Sequence, residues 1–154
     1  MEIYNHGSEY WENNGNSETY FDHFLFVRNR TYCFATDDAH DLTEHSLGGF
    51  IMVKTKEFTH KGIMQAIIDG SFYASSGPLI YDFYVKDGVA KVTCAPCQDI
   101  YFQTPHRKGS FHSDSEELTE GEFPLNGDEE YVRVTIRDGK GRKAWTQPIW
   151  LWLF

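Results

Sequence analysis

The chain has 154 residues and a formal charge of −9, from 14 Lys and Arg against 23 Asp and Glu. That length can bury a core as one domain or two small units and excludes a large multidomain enzyme, while the acidic balance makes nucleic acid an unlikely partner on electrostatic grounds. Hydrophobic residues at 40% and aromatics at 16% exclude a disordered chain and predict a core rich in rings.

In chain order, "MEIYNH" is a short apolar strand with no lead-in, as though the chain opened inside a fold. "GSEYWENNGN" reads as a polar loop. Ser17 can then cap a helix carrying Tyr20, Phe21, Phe24, Leu25 and Arg28, with its aromatics on one face and its end near Asn29. "TYCFAT" has the character of a strand buried inside a parallel sheet, and it delivers "DDAHD" at its carboxyl end. "GGFIMVKT" reads as a second such strand. Thr59 caps "HKGIMQAIID", whose Ile63, Met64, Ile67 and Ile68 form an apolar stripe, and Gly70 stands where a left-handed cap belongs. Strand and helix thus alternate from Met1 to Gly70, the grammar of a parallel sheet or barrel.

From Ser71 the pattern changes. "LIYDFYVKDGVAKVTC" is two alternating strands around Asp87-Gly88, a strong hairpin signal, and "YVRVTIRDGKGRKAWTQPIWLWLF" repeats the arrangement around a Gly-Lys-Gly turn. The second half is therefore expected to be an antiparallel β-sandwich, joined to the first at "SSGP", Ser75 to Pro78. "HSDSEELTEGE" carries five acids and no Lys or Arg, and its irregular oxygen spacing suits a solvated loop better than a calcium site. The longest apolar run, "IWLWLF", falls far short of the roughly 18 to 20 residues of a membrane span, so a soluble, cytoplasmic chain is expected.

Two spacings invite chemistry. In an extended segment Asp38 and His40 project to the same side, and a carboxylate beside an imidazole suits a divalent metal of borderline hardness. An isolated Asp-x-His is also a common turn, and two ligands do not close a site. His6, at the end of the first strand, is the best-placed third ligand; Asp37, Asp41, Glu44 and His45 are weaker candidates. "CAPC", Cys94 to Cys97, has redox or zinc spacing but lies between strands rather than at a helix start, and three cysteines without a second pair suit a reducing compartment. Arg137, Lys140, Arg142 and Lys143 suit a solvated hairpin tip, and Trp145, Trp150 and Trp152 a core or interface. There is no G-x-S-x-G, phosphate loop or G-x-G-x-x-G after a strand.

Taken in order, "EIYN", "FATDDAHD", "GGFIMVKTKEFTHKGIMQAIIDGSFYASSGPLI", the "VTC" strand and "YVRVTIRDGKGRKAWTQPIWL" resemble the carboxyl-terminal half of PHP (polymerase and histidinol phosphatase) proteins, in particular a subgroup with a β-rich tail. The resemblance covers nearly the whole chain. It implies a mixed, α+β fold: a remnant of the last βα units of a PHP-type barrel over residues 1–78, then an antiparallel β-sandwich over 79–154. It also implies that Asp38 and His40 are metal ligands, with Asp37 a non-ligating neighbour and Glu2 to Asn5 a supporting strand. The implied cofactor is divalent manganese, iron or zinc, and the implied reaction is hydrolysis of a phosphorylated small molecule by metal-activated water.

The family's opening His-x-His and most of its other ligands have no counterpart in this sequence. Activity of this chain alone is therefore not expected; a missing amino-terminal half or a second copy would have to complete the site. The alternative is a non-catalytic β-sandwich whose aromatic residues bind carbohydrate or a protein partner.

Overall fold

Strand β1 (Glu2–Asn5) runs directly into helix α1 (His6–Glu12). The computed structural model describes residues 1–27, 29–40, 46–115 and 117–151 and divides the chain into two units, Met1–Ser76 and Gly77–Phe154. Helix α1 occupies sequence expected to be loop. Asn5, in extended conformation, accepts the Ser8 N–H on its side-chain oxygen at 2.8 Å, and Asn13 closes the helix in the left-handed conformation, φ 52°. A helix can begin there because its first free donor is satisfied locally, whatever the polarity of its faces.

Helix α2 (Glu18–Phe26) ends earlier than expected, and Ser17 stands at its cap position without a side-chain hydrogen bond to the helix. The expected apolar face is narrower than the sequence suggested: Phe21 and Leu25 are fully buried, whereas Tyr20 and Phe24 are 68% and 43% exposed. Arg28, assigned to the same face, lies outside the described residues. Strand β2 (Phe34–Thr36) then pairs in parallel with β1, Glu2 beside Phe34 and Asn5 beside Thr36, as strand-helix-strand grammar requires.

Strand β3 (Phe50–Val53) departs from that grammar. It pairs antiparallel with β4 (Phe72–Ser75), from Phe50 beside Ser75 to Val53 beside Phe72, and no residue of β3 is fully buried, as a strand inside a parallel sheet would be. Between them helix α3 (His60–Ile68) has both expected caps. Thr59 Oγ1 accepts the Gly62 N–H at 3.1 Å, and Gly70, φ 73°, donates to Ile67 O while Ser71 N–H reaches Ala66 O at 2.8 Å. This double bond pattern turns the chain straight back into β4. The expected stripe is not buried as a unit: Ala66 is buried, Ile63 and Ile67 are half-buried, and Met64 and Ile68 are exposed.

The second unit is antiparallel throughout. Its strands are β5 (Ile80–Lys86), β6 (Val89–Cys97), β7 (Asp99–Gln103), β8 (Lys108–His112), β9 (Leu118–Pro124), β10 (Tyr131–Arg137), β11 (Lys143–Thr146) and β12 (Ile149–Trp150). One sheet has the order β5-β6-β9; in the other, β11-β10-β7-β8 are neighbours and β12 also pairs with β10. Asp87 and Gly88, φ 51° and 74°, form the two-residue turn of the β5–β6 hairpin, whose mirror-type geometry matches strand twist. Between the sheets, Phe102 of β7 stacks on Phe123 of β9 at 5.5 Å, with Val92, Ile100, Val134 and Ile136 buried around them. Gly121 makes room: a Cβ there would lie 3.2 Å from the Phe102 ring.

Asp99, His112 and Arg137 lie side by side on β7, β8 and β10. The almost fully buried Asp99 carboxylate accepts from His112 Nδ1 at 2.6 Å and from Arg137 Nε at 2.7 Å and Nη2 at 2.6 Å. His112 Nε2 reaches Asp114 Oδ1 at 2.9 Å. Since carboxylates only accept, both ring nitrogens donate and the imidazole is held protonated; the hydrogen bond to Asp99, then that to Asp114, raises its pKa above the ordinary 6.5. Burial pushes the Asp99 pKa up, but His112 and Arg137 outweigh it, and the net value lies below the ordinary 3.8.

Phe102→Ala is expected to cost about 3–5 kcal/mol in chemical denaturation, since it empties the contact between the sheets; a cost below about 1 kcal/mol would contradict that packing. The stability supplied by His112 is complete below its unfolded value of about 6.5 and is lost as pH rises through its raised folded pKa, while that supplied by Asp99 is present above about 3.9 and is lost as pH falls through its lowered one. Thermal stability should therefore fall on the alkaline side of about pH 6.5, and His112→Ala should flatten that limb in a pH series of melting curves.

Candidate metal centre at the strand end

The chain leaves β2 at Thr36, and the next residue fastens the region together. Asp37 Oδ2 accepts the Leu47 N–H at 2.7 Å, and Oδ1 accepts those of Gly48 at 2.8 Å and Gly49 at 2.7 Å. Burial raises the Asp37 pKa, but these N–H groups and the nearby His6 outweigh it and hold the carboxyl below its ordinary range. The glycines are sterically required: a Cβ on Gly48 would lie 2.2 Å from the His6 ring, and one on Gly49 2.2 Å from Thr36 O. Gly7 N–H donates to Asp37 O at 3.0 Å, so the start of α1 is tied to the same point.

Asp38 turns the chain. Its φ is 51°, left-handed, so Asp38 and His40 do not lie on an extended segment and the same-side argument from i, i+2 spacing fails. What brings them into relation is a hydrogen bond: His40 Nδ1 lies 2.8 Å from the Asp38 carbonyl oxygen. A carbonyl only accepts, so Nδ1 carries a proton, and in the neutral ring it is Nε2 that holds the lone pair. Both residues are exposed. The Asp38 carboxylate accepts from Asn5 Nδ2 at 3.3 Å, which also reaches Glu2 Oε2 at 3.3 Å, and Glu2 Oε1 accepts the Thr36 hydroxyl. His6 Nδ1 sits 3.3 Å from the Tyr4 hydroxyl.

These donors fit a divalent metal in kind, an anionic oxygen at Asp38 and a prepared imidazole nitrogen at His40, with the second ring nitrogen held as metal-binding histidines commonly are. They do not fit in number. Among the described residues no group of three or more His, Cys, Asp or Glu side chains could hold a metal ion. Asp41, Glu44 and His45 lie outside the described residues.

The other expected features are engaged in structure. Arg137 pairs with Asp99, and Arg142 with Asp138 at 2.7 Å. Trp145 is buried and Trp150 packs on Tyr131 at 5.3 Å, while Trp152 lies outside the described residues. In the acidic stretch, Asp114 meets His112 and Glu122 meets Lys91 at 2.5 Å. The roles of Asn5 as helix cap and Asp37 as loop anchor were missed in the sequence; the one local signal was Asn5 directly before a segment with Glu9 in its first turn.

Asp37→Asn leaves one acceptor oxygen where two charged ones served three N–H groups. It is expected to cost about 1.5–3 kcal/mol and to speed hydrogen exchange at Gly48 and Gly49, whereas Asp38→Asn should leave those amides protected. Comparison with models of protein families, with curated proteins and with solved structures gives no match, so the chemistry of this strand end is argued from its own geometry.

Proposed function

We propose that this chain is the carboxyl-terminal portion of a PHP-like metal-dependent phosphoesterase, in which Asp38 and His40 are two ligands of a divalent manganese, iron or zinc ion. The observation that carries the proposal is the His40 Nδ1 hydrogen bond to the Asp38 carbonyl, which leaves Nε2 as a ligand at the carboxyl end of parallel strands, where such folds concentrate their sites. His6, the first residue of α1, forms with Asp38 and His40 no group of three that could hold a metal ion in this structure. Asp37 is the non-ligating neighbour in this reading, its carboxylate given to the N–H groups of Leu47, Gly48 and Gly49. The remaining ligands come from an amino-terminal half or from a second chain.

When bound, the metal would lower the pKa of a water and offset the charge of a phosphoester. The residues of this chain hold and orient: Asn5 steadies the Asp38 carboxylate, and Asp38 O fixes the His40 tautomer. The substrate class is a phosphorylated small molecule. As a carbohydrate-binding module the second unit has less to offer, because Phe102, Tyr131 and Trp145 are buried and, among the described residues, the exposed rings Tyr81, Tyr84 and Phe111 are divided between the two sheets.

The purified chain, dialysed to equilibrium against excess zinc or manganese, should take up metal by elemental mass spectrometry, and Asp38→Ala/His40→Ala should take up less. His60→Ala, altering an exposed histidine on α3, should leave it unchanged. Equal metal content in the parent chain and the double variant would refute the assignment.

A further inference from the structure

The "CAPC" segment lies in β6, where the ladder to β9 is broken. Thr93 pairs with Glu120 and Cys97 with Leu118, so four steps along β6 match two along β9 and the chain between them bulges. Pro96, which has no N–H to give a ladder, sits in that bulge. In a regular strand, residues three apart point to opposite faces. Here the bulge brings the two side chains together: Cys94 Sγ and Cys97 Sγ lie 3.7 Å apart, 2% and 0% exposed, and both sulfurs approach the Leu118 carbonyl, at 4.0 and 3.3 Å.

We propose that Cys94 and Cys97 are an oxidation site, forming a reversible intrachain disulfide when the folded protein meets a small peroxide. The sulfurs must close from 3.7 Å to about 2 Å, a movement a bulge with its ladder already interrupted can absorb. Burial restricts the oxidant to a molecule of peroxide size. The hydrogen bond between the two thiols and their burial raise the Cys94 pKa, so the reaction waits on one of the two sulfurs giving up its proton. One sulfur, losing its proton, attacks one peroxide oxygen; the O–O bond breaks, a sulfenic acid forms and the other oxygen leaves as water with that proton. The second sulfur then attacks the first, the S–O bond breaks and a second water leaves with the second thiol's proton. Two thiols are oxidised by two electrons to one disulfide, and one peroxide is reduced to two waters. A dithiol reverses the reaction by exchange.

The test treats the native chain with hydrogen peroxide, removes the excess with catalase, then unfolds the protein and alkylates the remaining thiols. Trypsin releases Val92 to Arg107, which holds Cys94 and Cys97 but not Cys33. That peptide should be unalkylated and lighter by two hydrogen atoms, should return to the dithiol form with dithiothreitol, and should leave Cys33 alkylated. Cys94→Ala and Cys97→Ala should each form no intrachain disulfide in this peptide. Two alkyl groups on the wild-type peptide after a dose that oxidises exposed Met64, a pairing that includes Cys33, or a disulfide that forms only in urea would each overturn the proposal.

Discussion

The carboxylate of Asp37 is the interaction on which the candidate site depends. One side chain takes the N–H groups of Leu47, Gly48 and Gly49, and its own carbonyl takes that of Gly7. Four backbone donors that would otherwise need separate partners are satisfied at the end of β2, and the segment before β3 and the start of α1 are fixed to one point. The left-handed turn at Asp38, the return of the His40 ring onto the Asp38 carbonyl, and the contact of Gly48 with the His6 ring all occur around this anchor. The residue that organises the site is thus one whose carboxylate serves the backbone.

The same device recurs in the second unit. Asp138 accepts the N–H groups of Lys140 and Arg142 and pairs with the Arg142 guanidinium. Glu129 takes the N–H groups of Asn126 and Gly127 and pairs with Arg107; burial raises its pKa, but Asn126, Arg107 and Gly127 bring it down to about 2. Asp99 joins three strands. Several of the acids behind the charge of −9 are therefore spent on turns and cross-strand ties. Net charge constrains which partners the chain can meet and says little about where its chemistry lies.

What was legible in the sequence was local. The Asp87-Gly88 turn, the Thr59 and Gly70 caps of α3 and the strand character of "FAT" depend on residues within a few positions, whose backbone preferences act before any distant contact forms. The parallel pairing of β1 with β2 agrees with the alternation of strand and helix read from Met1 onward. Helix α1 was hidden because a polar segment shows no apolar period, although its cap lay in plain view at Asn5. The narrowing of the α2 and α3 stripes was hidden because spacing defines a face without stating whether anything covers it.

By itself the sequence determined the two caps of α3, where the hairpin at Asp87-Gly88 turns, and that Asp38 and His40 follow a strand. Only the tertiary structure decided that β3 runs antiparallel to β4, that Asp38 is left-handed with His40 turned onto its carbonyl, and that a bulge brings Cys94 and Cys97 sulfurs within 3.7 Å. The division has a physical reason: caps and tight turns are set by bonds between near neighbours, whereas strand partners, bulges and carboxylate anchors are set by donors and acceptors far apart in the chain, whose pairing exists only once the fold has closed.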